Sequence, residues 1–498
     1  MKNRYMPFLT KFKWILFSLF FVYICVANLS NEFLDLGGDS AQYIILAESL
    51  SQGLGYRAIN YPQEPFSYHY PPVFPLLLSP IIYFFGRNFY LIRLLTALLG
   101  YGSLFFIYQL LKKYTEKKEA FLVTLVFATN FIFLSYSIKY ILSDIPYLFV
   151  SCAALLFSAQ YVKAKAIGKT SIAVLMGLWL SYFTRYAGIT LFFGIVTLLL
   201  LHPKQNYKKI YFISIGFLTP LLLWIIAGRM LNPSYAYSKY FFLIDPYRPF
   251  LGTILGHPLQ IVTRLTQGIN YYCSLIGDSL FFYLHNSDRL KSLLSLFSFA
   301  MVFLGLWRSF RKNKLCVFHY YFLFYFLMVS LWPFQEGARF ILPILPFIYY
   351  YFFEAAKGIF TVFYKKPLPL GFYSFFLILN LLFLPAKENT LKNLPLPLAN
   401  FLSLHTWAKA HLPGEGIIIS RKPTVTYFFT GHQALCYPFS LDPEEIWQDI
   451  TIHNAKYLLV DEFSRETYVY LSPFLSRYKD KLTLLKRVGS SGVFEIHP

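Results

Sequence analysis

Residues 36–56 read LGGDSAQYIILAESLSQGLGY, and they lie between a hydrophobic stretch at roughly 14–30 and the proline-rich run SYHYPPVFPLLLSP at 67–80. A carboxylate, Asp39, therefore stands at the end of a segment suited to hydrocarbon. Such a group is costly there unless it faces water or a partner, which is why acids at this depth tend to mark sites. Gly38-Asp39-Ser40 ahead of Ala41 to Leu50 also reads as a helix start with an acidic cap, so a capping role stands beside a catalytic one.

The rest of the chain fits a membrane setting. Hydrophobic residues make up 56% of the 498 and charged residues only 14%, with 55 Phe and 41 Tyr, far from the balance of a soluble globular protein. Apolar segments recur at roughly 14–30, 90–111, 121–137, 147–162, 171–184, 186–201, 211–229, 291–307, 315–333, 341–356 and 370–385, each near the ~17–25 residues of a crossing. The expected fold is a polytopic α-helical membrane protein of about eleven transmembrane helices. Two of these spans meet at Thr184 to Gly188 with almost no loop.

The net charge of +21 follows the same pattern. Lys and Arg collect at Lys2 to Lys13, Lys112 to Lys118, Lys163 to Lys169, Lys204 to Lys209, Arg308 to Lys314 and Lys357 to Lys366. Those loops share one side if the spans hold, and a positive-inside bias makes it the cytoplasm. No basic face interleaved with stacking aromatics occurs, so nucleic acid is not an expected partner. The five cysteines (Cys25, Cys152, Cys273, Cys316, Cys436) have no metal-ligand spacing and give no disulfide framework. The first apolar core exceeds the ~7–15 residues usual for a signal peptide, so a retained anchor is expected.

The outer face then carries a first loop at 31–89, the turn KYILSDIP at 139–146, TRYAG at 184–188, a long segment from Met230 to Arg289, QEGAR at 335–339, and everything after Pro385. The span interiors lack the ionisable relays usual in ion-coupled carriers. Beyond the last span, Phe401, Leu404, Ala408 and Leu412 fall at helical spacing and GIIIS reads as a strand. Asp442-Pro443-Glu444-Glu445 is a strong helix start, and Lys456 to Asp461, Leu482 to Val488 and Gly492 to Ile496 read as further strands. The chain is thus divided into a membrane domain at 1–385 and a small α/β extracytoplasmic domain at 386–498, expected to dock acceptor, cover the site or serve structure alone.

In chain order, GD-x-x-x-Y after the first span, YPPVFP, SDIPY, TRYAG and ARFILPILP resemble the GT-C glycosyltransferases, in particular the family 39-like group of protein O-mannosyltransferases and aminoarabinose transferases. The resemblance covers roughly residues 10–385. It implies an inverting transferase of a bacterial cytoplasmic membrane that moves a sugar from a polyprenyl-phosphate donor to a lipid, glycan or protein acceptor at the outer face. It implies Asp39 as general base or acceptor-orienting group, and Asp144 as a second acid binding hydroxyls or a metal. Asp144 also reads as a helix cap beside Ser143 and Pro146. A divalent metal ion is a possible cofactor, and no other cofactor is implied.

Arg185 and Arg339 are candidates for the donor phosphate, because a guanidinium meets phosphate oxygens in a bidentate fork. Interfacial snorkelling among lipid headgroups is their alternative. In the aminoarabinose branch a lysine precedes the first-loop Pro-Pro, whereas here Tyr70 stands in His69-Tyr70-Pro71-Pro72. A neutral phenol does not replace that charge, so phosphate contact passes to His69, Arg185 or Arg339, or the donor differs. Asp35 is read as an exposed turn residue and Glu48 as a solvated helix residue, while Asp278 has no assignment. A flippase or transporter of lipid-linked glycans, and a scaffold recruiting partners through its outer domain, are the rival classes.

An odd number of crossings separates the termini and the N-terminal basic cluster faces the cytoplasm, so a reporter fused after Pro498 is expected to be active only outside it. Activity in the cytoplasm would overturn both the count and the placement of the outer loops.

Overall fold

A computed structural model describes residues 18–24, 26–32, 36–164, 166–202, 207–232, 241–281, 287–313, 316–382, 394–414 and 416–497. The cluster Lys2 to Lys13, Asp35, Cys25 and the boundary at 385/386 lie outside them. The chain forms two compact units: residues 1–32, 88–222 and 263–387 in the first, and 33–87, 223–262 and 388–498 in the second.

The first unit is helical. Helices Phe89–Leu111, Tyr207–Leu231 (shared with the second unit) and Asp288–Lys312 are long and apolar enough to cross a membrane, and the bent pair Lys117–Ala128 and Phe131–Ile138 makes a fourth if taken as one span. The other apolar helices, among them Val317–Leu331 and Leu370–Leu382, are shorter. By length and composition, three or four of the expected crossings are thus supported among the described residues.

The 61° bend between Lys117–Ala128 and Phe131–Ile138 has an identifiable cause. Asn130 accepts from the backbone N–H of Ile132 (3.0 Å) and Phe133 (3.3 Å), capping the second helix, and its Nδ2 donates to the Ser279 carbonyl (3.0 Å) and the Tyr349 hydroxyl (2.9 Å). Backbone freed by a break in an apolar span must be satisfied by neighbours, and one side chain does most of that here.

The expected close meeting of two spans is present. Helix Lys169–Thr184 gives way to an extended Arg185, a 3₁₀ turn Tyr186–Gly188 and helix Ile189–Leu201. Gly188 is required at this reversal, since a Cβ there would lie 2.5 Å from the backbone nitrogen of Tyr182. Elsewhere in this unit, the buried Glu354 accepts from Lys312 (2.8 Å) and Lys357 (3.1 Å), and Lys357 also reaches Glu119 at 2.8 Å. Pairing is what makes a buried carboxylate tolerable.

The second unit combines the first outer loop with the C-terminal residues. Strands β1 (Ile418–Ser420), β2 (Ala434–Leu435), β3 (Tyr457–Val460), β4 (Leu482–Val488) and β5 (Ser491–Ile496) form one sheet in the order β2-β1-β3-β5-β4. β1 runs parallel to β2 and β3, while β5 is antiparallel to β3 and β4. Helix Pro443–Ile452 starts as the sequence suggests, with Asp442 accepting from the Glu444 N–H at 3.0 Å. Helix Pro423–Thr430 was not legible beforehand.

That helix carries the contact with the first loop. Arg87 pairs with Glu48, donates to the Phe428 carbonyl at 2.9 Å and lies 4.4 Å over the Phe428 ring. Glu48 is therefore a paired residue with a 12% exposed side chain, and the expectation of a solvated helix residue is corrected. Thr424 donates to Gln42 (3.1 Å), and the Ala434 N–H donates to the Asn60 carbonyl (3.0 Å), so loop and sheet form one body.

Helices Asp288–Lys312 and Leu345–Tyr364 approach closely at Gly305, where an added Cβ would stand 1.8 Å from the Tyr351 carbonyl oxygen. Gly305→Ala is expected to lower stability by ~1–3 kcal/mol, as overpacking of a tight interface does. Thermal unfolding in detergent measures it, and an unchanged midpoint would contradict this packing.

Candidate functional site

Two polar clusters contain the six residues singled out from the sequence. The first, in the helical unit, is built on Asp144, which opens helix Asp144–Tyr161 and is fully buried. The cap position belongs to Ser143 and carries no side-chain capping bond, so Asp144 is a first-turn carboxylate favoured by the helix dipole. Its Oδ1 accepts from Arg185 in an ion pair, and its Oδ2 faces Arg339 Nε at 3.6 Å. Each arginine side chain is 13% exposed.

Local structure explains why these three meet. Arg185 is the extended residue of the tight reversal after helix Lys169–Thr184, held by its N–H to the Ser181 carbonyl (3.0 Å) and its carbonyl to the Gly188 N–H (2.8 Å). Arg339 sits in the 3₁₀ turn Gly337–Phe340 ahead of the span that begins ILPILP. Phe340 lies beside both cations, 5.5 Å from the Arg185 guanidinium carbon and 5.9 Å from that of Arg339. An aromatic face stabilises such charges further when water is scarce.

Sequence reasoning missed Glu336 in this cluster. Its carboxylate accepts from Arg339 Nη1 at 3.2 Å, an i,i+3 pair across the QEGAR turn. That spacing was the available signal. Asp278, left unassigned, pairs with Lys291 at 3.4 Å.

The second cluster lies in the other unit. Asp39 is the first residue of helix Asp39–Ser51, and Gly38 before it holds the cap position without a side-chain bond. The Asp39 carboxylate instead accepts from the Tyr70 hydroxyl at 2.8 Å. Tyr56 donates to the Tyr70 carbonyl (2.8 Å), and Tyr43 packs edge-on against both Tyr70 and Phe74. Tyr70 is thus committed to Asp39. Burial and the Asp39 charge push the Tyr70 phenol up, so it remains a protonated donor.

His69, edge-on to Tyr70, is lowered to about 4 by burial, with Asp39 opposing the shift. It is neutral at pH 7 and offers no charge to a phosphate. Because the unfolded chain binds this proton more readily than the folded one, His69 subtracts stability as the pH falls through 6.5 toward 4.

A divalent cation was a possible partner of these acids. Among the described residues no three His, Cys, Asp or Glu side chains converge as a metal set. Both Asp144 oxygens face guanidinium groups, and Asp39 is held by a phenol. Neither cluster by itself fits such an ion.

A family model described as dolichyl-phosphate-mannose-protein mannosyltransferase matches residues 69–226, which include Asp144 and Arg185. Among solved structures, ArnT from Cupriavidus metallidurans in the apo state aligns with a TM-score of 0.57 at 13% identity, covering 98% of each chain. The archaeal oligosaccharyltransferase AglB from Archaeoglobus fulgidus, in complex with an inhibitory peptide and a dolichol-phosphate, aligns at 0.54 and 12% identity over 99% of this chain and 74% of its own. An Archaeoglobus fulgidus oligosaccharyltransferase complexed with Zn and sulfate aligns at 0.55 and 14%, over 89% and 67%. At these identities the likeness is one of fold. No curated protein sequence matches significantly.

Arg185→Ala should leave a fully buried carboxylate short of its main partner, a change that costs ~3–5 kcal/mol. Adding Asp144→Asn removes the charge and is expected to return most of that stability, read by thermal unfolding. A double variant no more stable than Arg185→Ala would mean the pair is not what holds this corner.

Proposed function

We propose, for a chain that is a GT-C superfamily member by fold, that it is a membrane glycosyltransferase acting at the outer face on a polyprenyl-phosphate-linked sugar. The single observation that carries this reading is the pairing of one buried carboxylate with two arginines. The cluster holds two guanidinium groups about one buried carboxylate, one of them also paired with Glu336. An anion with a phosphate's geometry is its natural ligand. The polyprenyl-phosphate character of the ligand is supported by the dolichol-phosphate in the AglB complex, which has the same fold.

The chemistry follows from the groups available. In an inverting displacement the acceptor oxygen forms a bond to the anomeric carbon while the bond from that carbon to the phosphate oxygen breaks. The electron pair leaves on the phosphate, whose charge rises, and the acceptor proton passes to a base. Arg185 and Arg339, poised beside Phe340, would bind the phosphate and stabilise that charge in a site with little water. Asp144 acts through them as a positioning residue, since Oδ1 accepts from Arg185 and Oδ2 stands 3.6 Å from Arg339 Nε.

Asp39 is proposed as the general base. The hydrogen bond from Tyr70 to Oδ1 orients the carboxylate that would take the acceptor proton. Acceptors of lipid, glycan or protein class fit this scheme equally. The bacterial inner membrane and an extracytoplasmic C-terminus belong to the same proposal.

Asp39→Asn keeps the side-chain shape while removing the basic oxygen. It is expected to express and insert normally and to transfer sugar at least ~10²-fold more slowly, the scale of a positioned base. Purified protein in nanodiscs, given a panel of polyprenyl phosphate sugars and acceptors, makes the measurement. Full transfer by the variant would remove Asp39 from the chemistry.

A further inference from the structure

Two consecutive tyrosines on helix Leu259–Phe281 come to the arginine corner and are used differently. Tyr271 accepts from the Gly337 N–H at 3.0 Å, which ties this helix to the turn that carries Glu336 and Arg339. Tyr272 packs edge-on to Tyr271, with ring centroids 5.2 Å apart, and against Phe326 of helix Val317–Leu331 at 6.5 Å. It is 1% exposed, and its hydroxyl has no hydrogen-bond partner among the described residues.

A phenylalanine would fill the same space. The hydroxyl instead carries the desolvation cost of a buried polar group without the bond that normally offsets it, and an orphan of this kind calls for an explanation. Its surroundings supply one. Burial, Tyr271 and the charge of Glu336 push the Tyr272 phenol up, while Arg185 opposes the shift. The group is thus a protonated donor near neutral pH, within electrostatic reach of the guanidinium that pairs with Asp144. Tyr325, on helix Val317–Leu331, has Arg185, Asp144 and Tyr272 among its own electrostatic neighbours, so phenols from two helices stand near this corner.

Resting on the transferase reading above, we propose that Tyr272 is a substrate-binding residue whose hydroxyl donates to a phosphate oxygen of the polyprenyl-phosphate ligand at the Arg185–Arg339 corner. A phosphate oxygen accepts from phenol and guanidinium alike, so one anion satisfies the orphaned donor and meets the forks beside it. The contact needs a donor hydrogen and no net charge on the cluster. Without ligand the same hydroxyl contributes nothing to stability, whereas a hydroxyl that served the fold would stabilise it.

Tyr272→Phe in the purified full-length protein separates these roles. Without ligand, its thermal unfolding midpoint is expected to equal or exceed that of the wild type. Binding of a polyprenyl phosphate in nanodiscs is expected to weaken about tenfold or more, the scale of a hydrogen bond to a charged group. A polyprenol, which has the chain but not the phosphate, should bind both proteins alike. A lower midpoint without ligand would give the hydroxyl to the fold, unchanged phosphate binding would leave it to an internal water only, and an equal loss with polyprenol would place it away from the phosphate. Each of these results overturns the proposal. If polyprenyl phosphate fails to bind even the wild type, the polyprenyl-phosphate reading itself falls, and the role of Tyr272 with it.

Discussion

The arrangement of the helical unit around its polar corner depends on burying Asp144 without leaving its charge uncompensated. Placing a carboxylate out of water costs several kcal/mol even after relaxation, and only close, well-directed cations offset it. Arg185 and Arg339 supply them from positions 41 and 195 residues further along the chain (185 − 144 and 339 − 144). Each is delivered by irregular backbone, a one-residue extended break in one case and a 3₁₀ turn in the other. Irregular backbone is tolerated in such a protein where it lines a site or is buried in protein, and here it does the positioning.

The same logic recurs at lower stakes. Asn130 satisfies a broken helix, Glu354 is clasped by two lysines, and Asp39 is held by a tyrosine rather than capping its own helix. In each case a polar group in an apolar setting has found a partner from another segment, as buried polar groups generally must. What separates Asp144 from Glu354 is the kind of cation beside it. The first belongs to a cluster with two guanidinium groups whose planar forks suit phosphate, whereas the second is held by two ammonium groups, one of which also pairs with Glu119.

The second unit shows how an outer loop becomes part of a domain. Helix Asp39–Ser51 is joined to helix Pro423–Thr430 through Glu48, Arg87 and the Phe428 ring, and the Asn60 carbonyl meets the end of β2 at Ala434. The loop that carries Asp39 and Tyr70 is thereby braced by residues nearly 400 positions away in the chain (428 − 39 = 389). A carboxylate that has to meet a substrate gains from such rigidity, because positioning contributes much of what a base can do.

Composition and local pattern were enough to determine the helical membrane character, the small α/β segment at the C-terminus, its helix start at Asp442 and four of its five strands. The family resemblance singled out Asp144, and the fit of guanidinium to phosphate singled out Arg185 and Arg339. Partners were another matter. That Asp144 faces both arginines, that Tyr70 spends its hydroxyl on Asp39, that Glu48 is paired rather than solvated and that Glu336 joins the arginine cluster were decided by the tertiary structure alone. The physical reason is range: periodicity, capping and hydropathy act over a few residues, whereas the free energy of a charge in a low-dielectric interior is settled by whichever distant segment the fold brings to within a hydrogen bond of it.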